Sequence, residues 1–412
     1  MKKPTLAIIF LTVFIDLIGF GIVLPLLPIY IRDFKASGFT IGAIVASYSL
    51  MQFLFAPLWG RLSDRIGRRP VLLVSLGGSA ISYAIFALGS GLTTPATALW
   101  VLLLSRVLAG ISGANIGVAQ AYIADITSKE HRSKRMGLIG MAFGLGFIFG
   151  PALAGVGVNY FGKTGPGWIA AGLTAANFVF ALVRLPESRK PTSEHVTSRP
   201  RMDQWLHVLR LPKIGLLISL FFLATFCFTC FEITLGLLVS DRFHLAIEDL
   251  QGKPDPKIIW LYAFCGVVGA VVQGGAIGRA VKLLGEPLLI SVSLALVAVA
   301  MVLLPFVQSW SSLLAALAIL SIGSGLTRPP VFGMISILTP EHEQGGVIGV
   351  AQSAGSLARI VGPIFATTLF VKHHALPSLI CGSLSLFAGF LAWQFLCRAP
   401  APTTAESASA TV

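Results

Sequence analysis

Gly60-Arg61-Leu62-Ser63-Asp64-Arg65-Ile66-Gly67-Arg68-Arg69-Pro70 follows a long apolar run, and Gly278-Arg279-Ala280-Val281-Lys282-Leu283-Leu284-Gly285 repeats its frame 218 residues later. Further out, Gly150-Pro151 has a counterpart in Gly362-Pro363. The chain therefore reads as two similar halves. Between them Leu185 to Lys213 holds Pro186, Pro191, Pro200, Pro212 and many charges. Such a composition is not expected to pack, so residues 185–213 read as a linker. Residues 1–184 and 214–398 are the two halves, and residues 399–412 form a small, polar tail expected to be disordered.

Composition places those halves in a membrane. The 412 residues are 55 % hydrophobic and 11 % charged, with a mean hydropathy of +0.85. Soluble domains carry about 25 % charged residues. The deficit excludes a disordered chain and argues against a soluble enzyme. A helix needs about 20 apolar residues to cross the hydrocarbon. Twelve stretches, spans 1 to 12, run over residues 5–31, 39–60, 70–91, 97–124, 135–158, 166–184, 214–240, 258–280, 287–307, 311–338, 345–371 and 376–397. Backbone groups in lipid must be satisfied within their own helix. The expected fold is thus all-α, a polytopic membrane protein with twelve transmembrane helices in two pseudo-symmetric six-helix bundles.

The net charge of +13 fits either nucleic acid or cytoplasmic loops. Twenty of the 30 Lys and Arg lie on the side of the two termini, seven on the other side and three inside spans. This bias places both termini in the cytoplasm of a multi-pass plasma (inner) membrane protein, with lipid rather than nucleic acid as its partner.

Five charges stand well inside apolar spans: Asp16, Arg106, Glu232, Arg328 and Arg359. Each costs about 2.5–3.5 kcal/mol on insertion scales if it faces lipid near the centre. Each is therefore expected to face a cavity or a partner. Burial and nearby arginines act oppositely on a carboxyl group. A carboxyl poised between them can load and release a proton as a cavity opens to each side. Asp16, Arg106 and Glu232 are the candidates for proton coupling; the alternative is a buried ion pair that only ties helices together. Arg328 precedes Pro329-Pro330, where a broken helix would expose carbonyls, and with Arg359 it is a candidate substrate or gate residue. None of the seven histidines falls mid-span, so the titrating group is expected to be a carboxylate. Gln52, Asn115, Gln273 and Gln352 are candidates to line a substrate cavity or to bond between helices. Cys227, Cys230, Cys265, Cys381 and Cys397 read as inert core residues, and no metal or cofactor is expected.

Span 5 carries Gly140–Gly144 and Gly146–Gly150, spacings that let helix backbones approach closely. Gly150, Pro151 and Gly155 read as a helix bend, because Pro151 cannot donate its backbone hydrogen bond.

In order along the chain stand Asp16-Leu17-Ile18-Gly19-Phe20-Gly21, Tyr48-Ser49-Leu50-Met51-Gln52, the Gly60–Pro70 stretch, Arg106-Val107-Leu108-Ala109-Gly110-Ile111-Ser112-Gly113-Ala114 with Asp125, and Gly150-Pro151 with Gly155. This series resembles the major facilitator superfamily, within it the twelve-span drug:proton antiporters, and most closely their tetracycline-efflux branch. The resemblance implies a latch at the cytoplasmic end, built on Gly60, Asp64, Arg65, Gly67, Arg68 and Asp125. Asp64 would meet the N-terminus of span 11, and Arg68 would pair with Asp125. It also implies that Asp16 and Arg106 carry proton coupling. The tetracycline branch has an acid where this chain has Ser82, a histidine where it has Gly269, and an acid in span 9, which here has none.

The expected function is a proton-coupled secondary transporter, exporting small amphipathic compounds by alternating access as a monomer. The alternative is a proton-coupled uptake carrier for a sugar or organic acid, with Arg328 and Arg359 holding a carboxylate. An enzyme is not expected: the chain has no HExxH, no P-loop and no extramembrane domain.

Overall fold

The computed structural model describes residues 5–23, 26–34, 36–189, 201–243 and 256–397. The tail at 399–412, the central part of the linker at 190–200, and His195 and His244 lie outside the described residues. No strand occurs among the described residues, and eleven helices are long and apolar enough to cross a membrane. One of these, Trp260–Phe306, contains two of the expected spans. Gly285 divides it with a φ of 69° and a ψ of 160°. Gly67, at the same place in the other half, has a φ of 99° and a ψ of 163°. The left-handed φ at both positions explains why the repeated frame ends in glycine. The internal repeat is thus a repeat of backbone shape.

Each half is built around close helix pairs. Span 1, Leu6–Val23, packs along span 5, Arg132–Phe161. A Cβ on Gly150 would strike the backbone of Gly21, and one on Gly21 would strike the carbonyl of Gly146. Span 7, Pro212–Phe243, lies in the same way along span 11, Gln344–Lys372, where a Cβ on Gly362 would sit 3.2 Å from Thr229. Small residues thus replace the hydrophobic effect, which has no purchase between helices in lipid. Span 5 runs unbroken through Pro151, and span 10, Trp310–Leu338, runs unbroken through Pro329 and Pro330. The exposed carbonyls expected beside Arg328 are therefore not formed by a helix break. Gly155 differs from its neighbours, since a Cβ there meets nothing within 4 Å.

The linker departs from expectation. Arg201–Arg210 forms a helix. Val208 is buried in the main core cluster, and Trp205 tilts against Phe53 of span 2 at 5.6 Å between ring centroids. Trp205, Val208 and Leu209 recur at helical spacing, which the surrounding charges obscure in the composition. Among the cysteines, Cys227, Cys230 and Cys381 are buried, whereas Cys397 is exposed.

Gly150→Val should destabilise the protein by about 1–3 kcal/mol through overpacking against Gly21. Gly155→Val should leave stability unchanged. Thermal melts of both variants in detergent check the contrast.

Candidate functional site

Charged groups gather in two layers. The first lies at the end that carries the arginine-rich loops. Span 2, Gly38–Ile66, ends there, and Gly67 turns the chain into span 3, Arg68–Gly91. The turn buries Asp64 and Arg68 together: Arg68 Nη1 lies 2.7 Å from Asp64 Oδ1, with side-chain exposures of 0 % and 1 %. Arg68 Nε donates to Asp125 Oδ2 at 3.0 Å, and Nη1 also donates to Ser63 Oγ at 2.6 Å. The Asp64 carboxylate then crosses to the other half. Its oxygens accept from the backbone N–H groups of Gly345 at 3.0 Å and Gly346 at 2.8 Å, at the start of span 11. A helix N-terminus has free N–H groups and favours negative charge. Gly60 is needed because a Cβ there would strike the Gly345 carbonyl. Arg65 is exposed at the same end of span 2.

The residues following span 6 complete the layer. Glu187 accepts from the backbone N–H of Arg68 and of Arg69, at 2.9 Å and 3.0 Å, capping span 3. Ser188 Oγ donates to Asp125, and Arg189 Nη1 bridges Asp64 Oδ1 at 3.2 Å to the Glu341 carbonyl at 2.9 Å. Arg189 lies in the stretch 185–213 that composition reads as an unpacked linker. A weaker counterpart stands at the repeat position of Arg68, where Glu286 accepts from Ser133 Oγ of span 5 at 3.2 Å.

A seam between the halves rises from this layer. Ser353 Oγ donates to the Phe53 carbonyl. Gln352 Nε2 donates to Gln120 Oε1 at 2.8 Å, and Arg359 Nη2 donates to Gln52 Oε1 at 3.0 Å. On the opposite flank span 5 meets spans 8 and 10. A Cβ on Gly144 would lie 2.9 Å from the Gly266 carbonyl, Gly137 faces the backbone of Gln273, and Arg132 Nη1 donates to the Ser336 carbonyl at 2.7 Å. The Arg359–Gln52 bond is the outermost of this seam from the gate.

Above the seam lies the second layer. Asp16 is half-buried; Asn115 Nδ2 makes one long hydrogen bond of 3.5 Å to Oδ2, and Oδ1 has no partner among the described residues. Arg106 is buried with its guanidinium 5.4 Å from the centre of the Phe86 ring, and its Nη2 has no partner among the described residues. No ion pair joins Asp16 to Arg106. Tyr48 stands between them and the other half: its hydroxyl accepts from Gln52 Nε2 at 2.9 Å, and Arg359, Asp16 and Arg106 are the charges acting on it. Glu232, Arg328 and Arg359 come from spans 7, 10 and 11, and both arginines act on the Glu232 carboxylate. Gln273 packs against Gly137 and Gly140 with its Oε1 unpartnered among the described residues. Each of the five internal charges was expected to face a cavity or a partner; among the described residues none of them is neutralised by a contact ion pair. Tyr48, Ser356 and Phe86 were missed as functional candidates, since nothing in their spacing separates them from ordinary packing residues.

A family model described as Major Facilitator Superfamily matches residues 9–363 and 258–411. The class C tetracycline resistance protein of Escherichia coli is 33 % identical over 379 residues, covering 90 % of this chain and 91 % of that protein. The class B tetracycline resistance protein of Escherichia coli is 30 % identical over 369 residues, covering 88 % of this chain and 87 % of that protein. The crystal structure of the human organic anion transporter MFSD10 (TETRAN) superposes with a TM-score of 0.81 at 26 % identity, over 95 % of this chain and 100 % of that one.

Arg68→Ala would leave the Asp64 carboxylate buried without its counter-charge. The expected loss is about 3–5 kcal/mol. Thermal melts of the purified protein in detergent measure it.

Proposed function

The chain belongs to the major facilitator superfamily, and we propose that it is a proton-coupled exporter of small amphipathic compounds working by alternating access. The reading is carried by one observation: a seam closes the two halves at the loop-rich end, and unneutralised charges stand directly above it. Alternating access requires a central site that is sealed on one side at a time. With the arginine-rich loops in the cytoplasm, the described state is closed to the cytoplasm.

In this scheme Asp16 is the principal proton carrier. It has spare acceptor capacity, lies within a network of neutral hydrogen-bonding groups, and shares Tyr48 with the arginine of the opposite half. A proton arriving at Asp16 changes the charge felt by Tyr48 and, through the Tyr48–Gln52–Arg359 chain, the stability of the upper seam. Arg106 holds the positive charge that balances Asp16 at a distance. Glu232 is the second titratable group. Asp64, Arg68 and Asp125 with Gly60 and Gly67 form the cytoplasmic gate, and the Gly150–Pro151 segment lets span 5 slide against span 1. The names of the relatives point to tetracyclines in bacteria and organic anions in humans. Both classes join an apolar body to polar or charged groups. The missing acids and histidine of the tetracycline branch weigh against tetracycline itself.

Asp16→Asn in proteoliposomes should abolish substrate-driven proton movement, read with a pH-sensitive dye trapped in the lumen. Undiminished antiport would remove Asp16 from the mechanism. The same vesicles under an imposed proton gradient separate export from uptake: substrate must move against the direction of the proton.

A further inference from the structure

The three charged side chains contributed by the second half carry an imbalance. Glu232, Arg328 and Arg359 are all half-buried and lie within electrostatic range of one another. Two are cations and one is an anion. Arg359 is fixed by neutral acceptors, donating to Gln52 Oε1 at 3.0 Å and Ser356 Oγ at 2.9 Å. Arg328 is held differently. Its guanidinium stands 5.7 Å from the centre of the Phe221 ring, and no hydrogen bond or ion pair reaches it among the described residues. Phe221 is in turn braced edge-on by Phe332 at 4.8 Å. In the facing half Asp16 and Arg106 cancel, so the whole layer keeps one positive charge in surplus.

A guanidinium offers five N–H donors in a planar fork that matches a carboxylate with two parallel bonds. Leaving that fork unfilled at mid-membrane depth is costly, and a phenyl face repays only part of the cost. Arg328 therefore has both the charge and the free donors for an anion, while the buried Phe221 ring holds the guanidinium from one side. Glu232 is too far for a contact pair with either arginine, yet it acts on both.

We propose that Arg328, assisted by Arg359, is the seat for the carboxylate of an amphipathic monoanion, and that Glu232 is an internal anion competing with it for the same arginines. The proposal rests on the transporter reading for its substrate. Its binding test needs no gradient, so the two can fail separately.

The probe is radiolabelled 2-naphthylacetate, with 2-naphthylacetamide as its neutral isostere, bound at equilibrium to the full-length protein in phosphatidylcholine nanodiscs. The carboxylate should bind saturably and more tightly than the amide. Arg328→Gln should weaken the carboxylate by about ten-fold or more, the size of a lost charged hydrogen bond. Arg328→Lys should fall between the two. Glu232→Gln should tighten carboxylate binding several-fold, and amide binding should be unmoved in all three variants, which also reports that each has folded. Opposite shifts at Arg328 and Glu232 are not produced by a merely structural ion pair. Absence of saturable carboxylate binding, equal binding of acid and amide, an Arg328→Gln protein that binds the acid normally, or weaker binding in Glu232→Gln would each overturn the proposal. Carboxylate binding through Arg328 without proton-driven transport would keep the seat and remove the exporter reading. Proton-driven transport of ethidium without carboxylate binding would do the reverse.

Discussion

The contact between the Asp64 carboxylate and the first N–H groups of span 11 is the interaction on which the described state depends. It is a charge-assisted bond between two rigid bodies, made where each has something the other lacks. Span 11 begins with unsatisfied N–H donors, and the end of span 2 supplies an acceptor that Arg68 keeps charged. Bonds of this type contribute about 1.5–3 kcal/mol each. Glycines at 60, 345 and 349 let the backbones close to the distance these bonds need, since a Cβ at any of them would meet the opposite helix. Everything higher in the seam follows from that approach, including the Gln352–Gln120 and Arg359–Gln52 bonds.

Much of this was legible in the sequence. Span number and helix type follow from hydropathy, because a lipid-facing backbone has few options. The repeated glycine frame gave the two halves, and the same left-handed φ at Gly67 and Gly285 is its physical cause. The five internal charges declared themselves by their cost. Less legible was what each charge touches. Asp16 and Arg106 read equally well as a contact pair or as separate groups, and periodicity cannot choose between them. The bridging role of Tyr48 depends on a residue 4 positions away and on an arginine 311 positions further along the chain. Glu187, Ser188 and Arg189 were hidden for another reason. A charge just beyond a span serves to orient the chain, and that role accounts for it without requiring any partner. The helix at 201–210 was masked by its composition. Its polar residues dominate the average, although Trp205 and Val208 are enough to seat it against the core.

The two layers answer different electrostatic problems. At the gate, each formal charge is met within 3.2 Å by an opposite charge or a backbone donor, so the layer is stable and selective for one arrangement. In the layer above, charges balance over longer distances through tyrosine, glutamine and serine. Such a network tolerates a change of one unit without collapsing, because no single bond neutralises any member. This is the property that the proposed proton-coupled cycle requires of its central site.

The seam is also unequal across its width. On one flank a carboxylate takes two backbone donors and two guanidinium groups, while on the pseudo-symmetric flank Glu286 takes a single hydroxyl and Arg132 donates to one backbone carbonyl. Under the proposed alternating access, two bodies fastened this way part first along the lightly held edge and pivot about the firmly held one, swinging like a door on its jamb rather than spreading like the arms of tongs. In that scheme the route by which cargo leaves is set by which edge is fastened last.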